Sequence, residues 1–325
     1  MRFPFFKRKQ KKPKFTVAFY NLENLFDAED DAHTLDDDFT PNGFKRWTTE
    51  RYQKKLGQLA RTLVRIGADG HGHIPVMVGV AEVENHKVLK DLLATPPLDQ
   101  TDYQYVHYES PDERGIDTGL IFRSRFFQLL HSEPLPLMVE NNNGERDTTR
   151  DILYVKGKLN GELIHLFVNH WPSRRQGSEE TEHKRIAAAE VVKDKIKGIE
   201  AQWPHANIIV MGDFNDDPNS KSIQTLLAGT SLFNPMEKLH RPKKKGSSHY
   251  KKQWNLFDQL LLSHSFFNYE KGTHSFDSAH IFDDASLMER KGKYKGSPYR
   301  TYVGKKYLGG YSDHFPVYLV LGFNP

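Results

Sequence analysis

Short apolar runs bounded by polar clusters dominate the hydrophobic pattern of this chain. Phe15 to Tyr20 (FTVAFY) reads as a strand. Pro75 to Val83 (PVMVGVAEV) is apolar at nearly every position, which marks a strand buried on both faces. Further strands are expected over 103–108, 117–122, 127–131, 152–158, 162–169, 207–211, 256–263 and 315–322. Twice the period turns helical. Thr49 to Ile66 sets Leu56, Leu59, Ala60 and Leu63 on one face, and Glu179 to Ile199 carries Ile186, Ala189, Val192 and Ile196 at helical spacing. Shorter helices are expected over 87–93 and 221–227, whereas 264–310 reads as a long irregular connection. Strand pairs interrupted by a few helices point to an α/β fold in which two sheets pack together with helices outside.

No short-period repeat and no Gly-, Ser- or Pro-rich linker divides the chain. Residues 15–325 are therefore expected to form one domain behind a disordered basic tail over 1–14. Hydrophobic residues make up 37% and charged residues 27%, the balance of a globular protein. No apolar run approaches the ~20 residues of a membrane span. The opening MRFPFFKRKQKKPK has a shorter apolar cluster than the ~7–15 residues of a secretory core, so a cytoplasmic location is expected. Absent cysteines exclude disulfides, a thiolate nucleophile and a cysteine-based zinc site. The net charge of +4 is mild, but six basic residues cluster in Lys7–Lys14 and four in Arg241–Lys245. Basic clusters attract polyanions; the alternative is a solvated tail and a solvated loop, and the N-terminal run reads as a solvated tail. No protein partner is evident, and a monomer is expected.

Polar residues recur where the apolar runs stop. Asn21 and Glu23 follow the first strand, and their spacing of two sends both to one face of an extended segment. Glu82 closes the apolar run VGVA, with Glu84 two residues on. Asn169 and His170 end another strand, Asp213 and Asn215 follow IIVMG, Asp258 opens LFDQLLLS, and Asp313 and His314 precede the last strand. Strand ends and the loops after them are where α/β proteins keep their chemistry. Alone, each acid reads as a turn or cap residue, and His170 as a buried histidine satisfied by backbone. Together they suit phosphate-ester hydrolysis, which needs a divalent cation, an oriented water and fixed donors to phosphate. A hard cation such as magnesium takes scattered oxygen ligands of this kind. Arg114 reads equally as a phosphate contact or a surface turn, and Arg174 and Arg175, just after His170, are better placed to meet a polyanion. Tyr250, Lys251, Lys252 and Trp254 interleave basic and aromatic residues as a nucleic-acid surface does, though core packing explains Trp254 as well. No Gly-rich loop with Lys and Ser or Thr supports an NTPase.

The ordered set NLEN, AEVEN, VNHWPSR, GDFND, FDQLLLS and SDHFPV resembles the endonuclease/exonuclease/phosphatase superfamily, over about residues 15–322. GDFN and SDHFPV are its specific motifs. The resemblance implies a four-layer α/β/β/α sandwich with two mixed or antiparallel sheets face to face. It implies Glu82 as the main Mg2+ ligand (Mn2+ or Ca2+ as substitutes), with Asn21, Glu23 and Asp313 beside the metal. It implies Asp213 as the group that orients or deprotonates water and Asn215 as a donor to the phosphoryl oxygen. Asp258 would pair with His314, which would contact the scissile phosphate, and His170 would act on the leaving-group side. The expected activity is a metal-dependent phosphodiesterase or endonuclease acting on nucleic acid. A phosphomonoesterase or lipid or inositol headgroup phosphoesterase is the alternative on the same fold, and an inactive nucleic-acid-binding protein is the rival of another class.

Overall fold

The computed structural model describes residues 12–141 and 144–325. Of the expected tail, residues 1–11 lie outside the described residues, and Lys14 already begins the first strand.

Twelve strands make the two main sheets: β1 (Lys14–Leu25), β2 (Met77–Val83), β3 (Tyr103–His107), β4 (Asp117–Arg123), β5 (Phe127–Leu135), β6 (Ile152–Leu159), β7 (Glu162–His170), β8 (Asn207–Asp213), β9 (Leu232–Phe233), β10 (Asp258–Ser263), β11 (His274–Ile281) and β12 (Val317–Phe323). The first sheet runs β11-β12-β1-β2-β4-β3 and the second β9-β10-β8-β7-β6-β5. Each is antiparallel except for one parallel pair near its centre, β1 with β2 and β8 with β7. Strand β11 corrects the sequence expectation for 264–310. Its polar face and its position at the sheet edge hide the alternation by which strands are recognised.

Alternation within β8 explains its unbroken apolar run. Ile209 and Met211 face the core between the sheets, while Ile208 and Val210 face the outer helices. The helix α1 (Thr49–Leu63) buries Leu56, Leu59 and Leu63, and α2 (His86–Leu93) buries Val88, Leu89 and Leu92, all against the first sheet. The helix α3 (Glu182–Gln202) packs Ala188, Ala189, Val192, Ile196 and Ile199 on the second, beside α4 (Lys221–Leu227). The layers are thus helix, sheet, sheet, helix. Full burial of each such Val, Leu or Ile side chain stabilises the fold by roughly 1.5–3 kcal/mol. The sheets approach so closely at Gly79 that a Cβ there would stand 2.6 Å from Met211 Sδ. No helix among the described residues is long and apolar enough to cross a membrane.

Candidate active site

Regular pairing builds the first half of the site. Strands β7, β8 and β10 lie side by side, and their register sets His170, Asp213 and Asp258 in one row at the strand ends. Asp213 continues the inward face of Ile209 and Met211. Asp258 Oδ2 lies 2.6 Å from His314 Nδ1, and His314 Nε2 lies 3.9 Å from Asp213 Oδ2. Burial disfavours a charge on His314, but the Asp258 and Asp213 carboxylates outweigh it and carry its pKa well above the usual value. His170 sits in the opposite environment. Burial, then the positive charges of Arg150 and Arg114, hold its pKa well below the ordinary range, so the ring is neutral. Its Nε2 is 3.9 Å from both Glu82 Oε1 and Asp213 Oδ2. Burial pushes the Asp213 carboxyl up to about 6 against the pull of His314. The Asn215 amide N–H donates to Asp213 Oδ1 at 2.9 Å and Asn21 Nδ2 to Oδ2 at 3.0 Å.

Broken pairing builds the second half. Strand β1 loses register after Asn21 and β2 after Ala81. Glu23, Asn24 and Glu82 take φ of 50, 53 and 59°, in the left-handed region that non-glycine residues avoid. The distortion lifts Glu82 out of the ladder. Its Oε2 accepts from the Asn24 backbone N–H at 2.7 Å, and Oε1 lies 3.5 Å from Asn21 Nδ2.

Glu23 therefore does not share the face of Asn21, contrary to the two-residue spacing. Its backbone N–H donates to Asn21 Oδ1 at 2.9 Å, while its carboxylate accepts from Thr301 N at 2.6 Å and lies 3.8 Å from Arg300 Nε. Burial foremost, then the charge of Asp313, pushes the Glu23 carboxyl up to about 7. Asn21 also differs from expectation. Its oxygen is engaged by Glu23 N–H, and it turns its amide N–H groups to Asp213 and Glu82, so it orients those carboxylates. Glu84 parts from Glu82 in the same way, accepting from Asp27 N at 2.6 Å. A bulge ends the period of two on which such readings rest.

Asp313 and His314 reach the cavity on a loop tied down by Ser312, whose Oγ donates to Asn21 O at 2.7 Å and accepts from His314 N at 3.1 Å. Arg300 Nη2 pairs with Asp313. Asn215 Nδ2 donates to Trp171 O at 2.9 Å, which leaves its second amide N–H for a ligand. Arg114 lines the cavity and donates to Asn24 Oδ1, so it is more than a surface turn. Arg174 lines it too, held by Asp216 and stacked on Phe257 at 4.7 Å, and exposed Arg175 stands at the rim. Trp254 stacks on Phe315 at 5.9 Å and 20°, which supports the packing explanation for it.

Three contributors, Arg150, Arg300 and Lys55, carry no sequence signal of their own, and Asn24 of the NLEN motif takes a role that the motif does not state. Asn24 clamps Glu82, Arg150 is buried between Asp112 and the Trp171 carbonyl, Arg300 bridges Asp313 and Glu23, and Lys55 donates to Thr301 Oγ1 and Glu23 O from inside α1. Only the long-range partner gives each residue its place.

These side chains surround a cavity of about 630 Å³. Glu82 accepts one short hydrogen bond and keeps lone pairs free toward it, and Asp313, paired with Arg300 through Oδ2, adds a second carboxylate to the lining. Two oxygen donors beside open cavity fit a hard divalent cation, which needs few protein ligands and retains water.

The fold has solved counterparts, three of which, each distant in sequence, illustrate it. An endonuclease/exonuclease/phosphatase family protein from Bacteroides thetaiotaomicron is 18% identical and superposes with a TM-score of 0.60, covering 97% of this chain and 100% of that one. A mannosyl-6-phosphatase from the same organism is 17% identical, with a TM-score of 0.57 over 95% and 100% of the two chains. D. rerio TDP2, solved with a single-strand DNA product, is 18% identical, with a TM-score of 0.55 over 95% and 99%. No curated protein matches the chain significantly. The sequence model described as Endonuclease/Exonuclease/phosphatase family matches residues 16–322, nearly the whole chain. The protein therefore belongs to the endonuclease/exonuclease/phosphatase family, with the hydrolase fold of that family.

Proposed function

We propose that the protein is a Mg2+-dependent phosphodiesterase that cleaves nucleic acid. The observation that carries this reading is the convergence of Glu82, His170, Asp213 and His314 on one cavity rimmed by Arg114, Arg174 and Arg175. A rim of three arginines suits a substrate with phosphates on both sides of the scissile one.

In this reading Glu82 and Asp313 hold Mg2+, with Asn21 orienting Glu82. The ion, when bound, neutralises charge on the phosphoryl oxygens. Asp213 takes the proton of the attacking water. Its raised pKa makes it a stronger base than an exposed carboxylate while leaving it ionised at neutral pH. Protonated His314, held by Asp258, donates to a non-bridging oxygen as charge builds there. The free amide N–H of Asn215 donates to the same phosphoryl group. Neutral His170 stands on the leaving-group side.

The test is a substrate panel of plasmid DNA, RNA, a bis-aryl phosphodiester, an inositol phosphate and mannose 6-phosphate, each with Mg2+ and with chelator. Cleavage of DNA or RNA that chelator abolishes is the expected result. Hydrolysis of the phosphomonoesters alone would replace this reading by a phosphatase, and equal inactivity of wild type and Asp213→Ala on every substrate would favour a binding protein.

A further inference from the structure

A second cluster of metal-binding side chains lies outside the cavity, where β3 ends and α2 begins. His86, His107 and Glu109 each bring one ligand atom within 4.8 Å of the other two. His86 is the first residue of α2, placed by the Asn85 cap, whose side chain accepts from Val88 N at 3.1 Å. His107 ends β3. The two imidazoles meet edge to face at 4.6 Å between centroids.

His107 shows that the cluster is built for something. Its side chain is wholly buried, yet among the described residues its Nδ1 has no hydrogen-bond partner. A buried polar group without a partner costs roughly 1–3 kcal/mol, and native proteins rarely tolerate it without a reason. Nε2 lies 3.2 Å from the buried Asp117 carboxylate, and Nδ1 lies 3.9 Å from Glu109 Oε1. Asp117 is itself held by the Ser110 backbone N–H at 3.0 Å. A carboxylate behind one imidazole nitrogen, with the other nitrogen turned toward further ligands, is the arrangement that orients histidine on a metal.

We propose that His86, His107 and Glu109 bind Zn2+, with Asp117 fixing the His107 ring and water in the fourth position. Two imidazoles and one carboxylate suit zinc, whereas Mg2+ and Ca2+ prefer all-oxygen sets. A tetrahedral zinc with bonds of ~2.1 Å holds its donors ~3.4 Å apart. His86 and Glu109 are exposed and close that gap by rotating onto the fixed His107. The ion would fasten the β3–β4 connection to α2. That connection carries Asp112, which holds Arg150, and Arg114, which lines the cavity.

The experiment strips the full chain of metal, saturates it with Mg2+ and titrates it with Zn2+ by calorimetry. It compares wild type, Glu82→Gln, His86→Ala and Glu109→Gln. Wild type and Glu82→Gln should bind one tight equivalent. Outer partners of a metal typically matter by about 10–100-fold, so loss of a direct ligand should weaken binding by about 100-fold or more in His86→Ala and Glu109→Gln. Both changes are at exposed positions, so their metal-free circular dichroism and Tm should match wild type. Zn2+ should raise the Tm of wild type and not of His86→Ala. Absence of a tight equivalent in wild type, undiminished binding in both ligand variants, or loss of binding in Glu82→Gln alone would overturn the proposal.

Discussion

The two sheets supply the cavity in contrasting ways. The second sheet presents His170, Asp213 and Asp258 through unbroken register, as neighbours in one row. The first sheet presents Glu82 and Glu23 only because β1 and β2 break register and take left-handed backbone angles. The regular half is rich in titratable groups set against one another, as proton transfer requires. The irregular half holds carboxylates at odd angles around open space, as a cation requires. Regular pairing fixes relative position tightly, whereas a bulge re-aims one side chain without moving the sheet.

Removing the base from the regular half should have the largest effect. Asp213→Ala should lower kcat by roughly 10²–10⁴-fold, the usual contribution of a positioned general base. Its Tm should change little, because the lost carboxylate is destabilised by burial. An activity loss under tenfold on the substrate that wild type cleaves best would remove Asp213 from the chemistry.

In the irregular half the expected effects fall on the metal. Glu82→Gln, which removes a direct ligand, should raise the Mg2+ concentration for half-maximal activity by about 100-fold or more, beyond the effect typical of outer partners. Glu23→Gln should raise it by much less, because the Glu23 carboxylate is already engaged by Thr301 N and Arg300. Equal effects of the two changes would place both carboxylates on the cation and erase the distinction drawn between them.

The same contrast explains what the residues disclosed in advance. The strand ends that carry His170, Asp213 and Asp258 follow from short motifs on regular strands, whereas the pairing of Asp258 with His314, which stands on a loop, came only with the family resemblance. The Asn21–Glu23 and Glu82–Glu84 spacings misled, because a period of two holds only while the ladder does. Arg150, Arg300 and Lys55 were silent, since each is positioned by a partner far along the chain, such as Asp112 for Arg150. Strand β11 was hidden because an edge strand with polar residues lacks the alternation of a buried one.

Close packing between the halves offers a third test. Gly79→Ala places a methyl 2.6 Å from Met211 Sδ, two residues before Asp213. Overpacking of this kind costs typically about 1–3 kcal/mol. Chemical denaturation should show a lower midpoint, with kcat falling less than in Asp213→Ala. An unchanged midpoint would mean that Met211 moves aside freely and that the sheet spacing at Gly79 is looser than the geometry indicates.

The smallest expected effect lies on the outer face of the second sheet, away from the cavity. His165 is buried there, with Nδ1 2.7 Å from Tyr154 Oη. Burial foremost, then the charges of Lys156 and Lys195, lowers its pKa to about 4. Because the folded state prefers the neutral ring, its contribution to stability is complete above the unfolded value of about 6.5. It is lost as pH falls from there toward 4, at no more than about 1.4 kcal/mol per pH unit. His165→Gln should flatten the decline of Tm between pH 6.5 and 4 while leaving kcat unchanged. If the acid decline were the same in His165→Gln, its origin would have to be sought at His170, the other buried ring that the fold holds neutral, rather than at Glu23 or Asp213, whose raised pKa values make protonation favour the folded state.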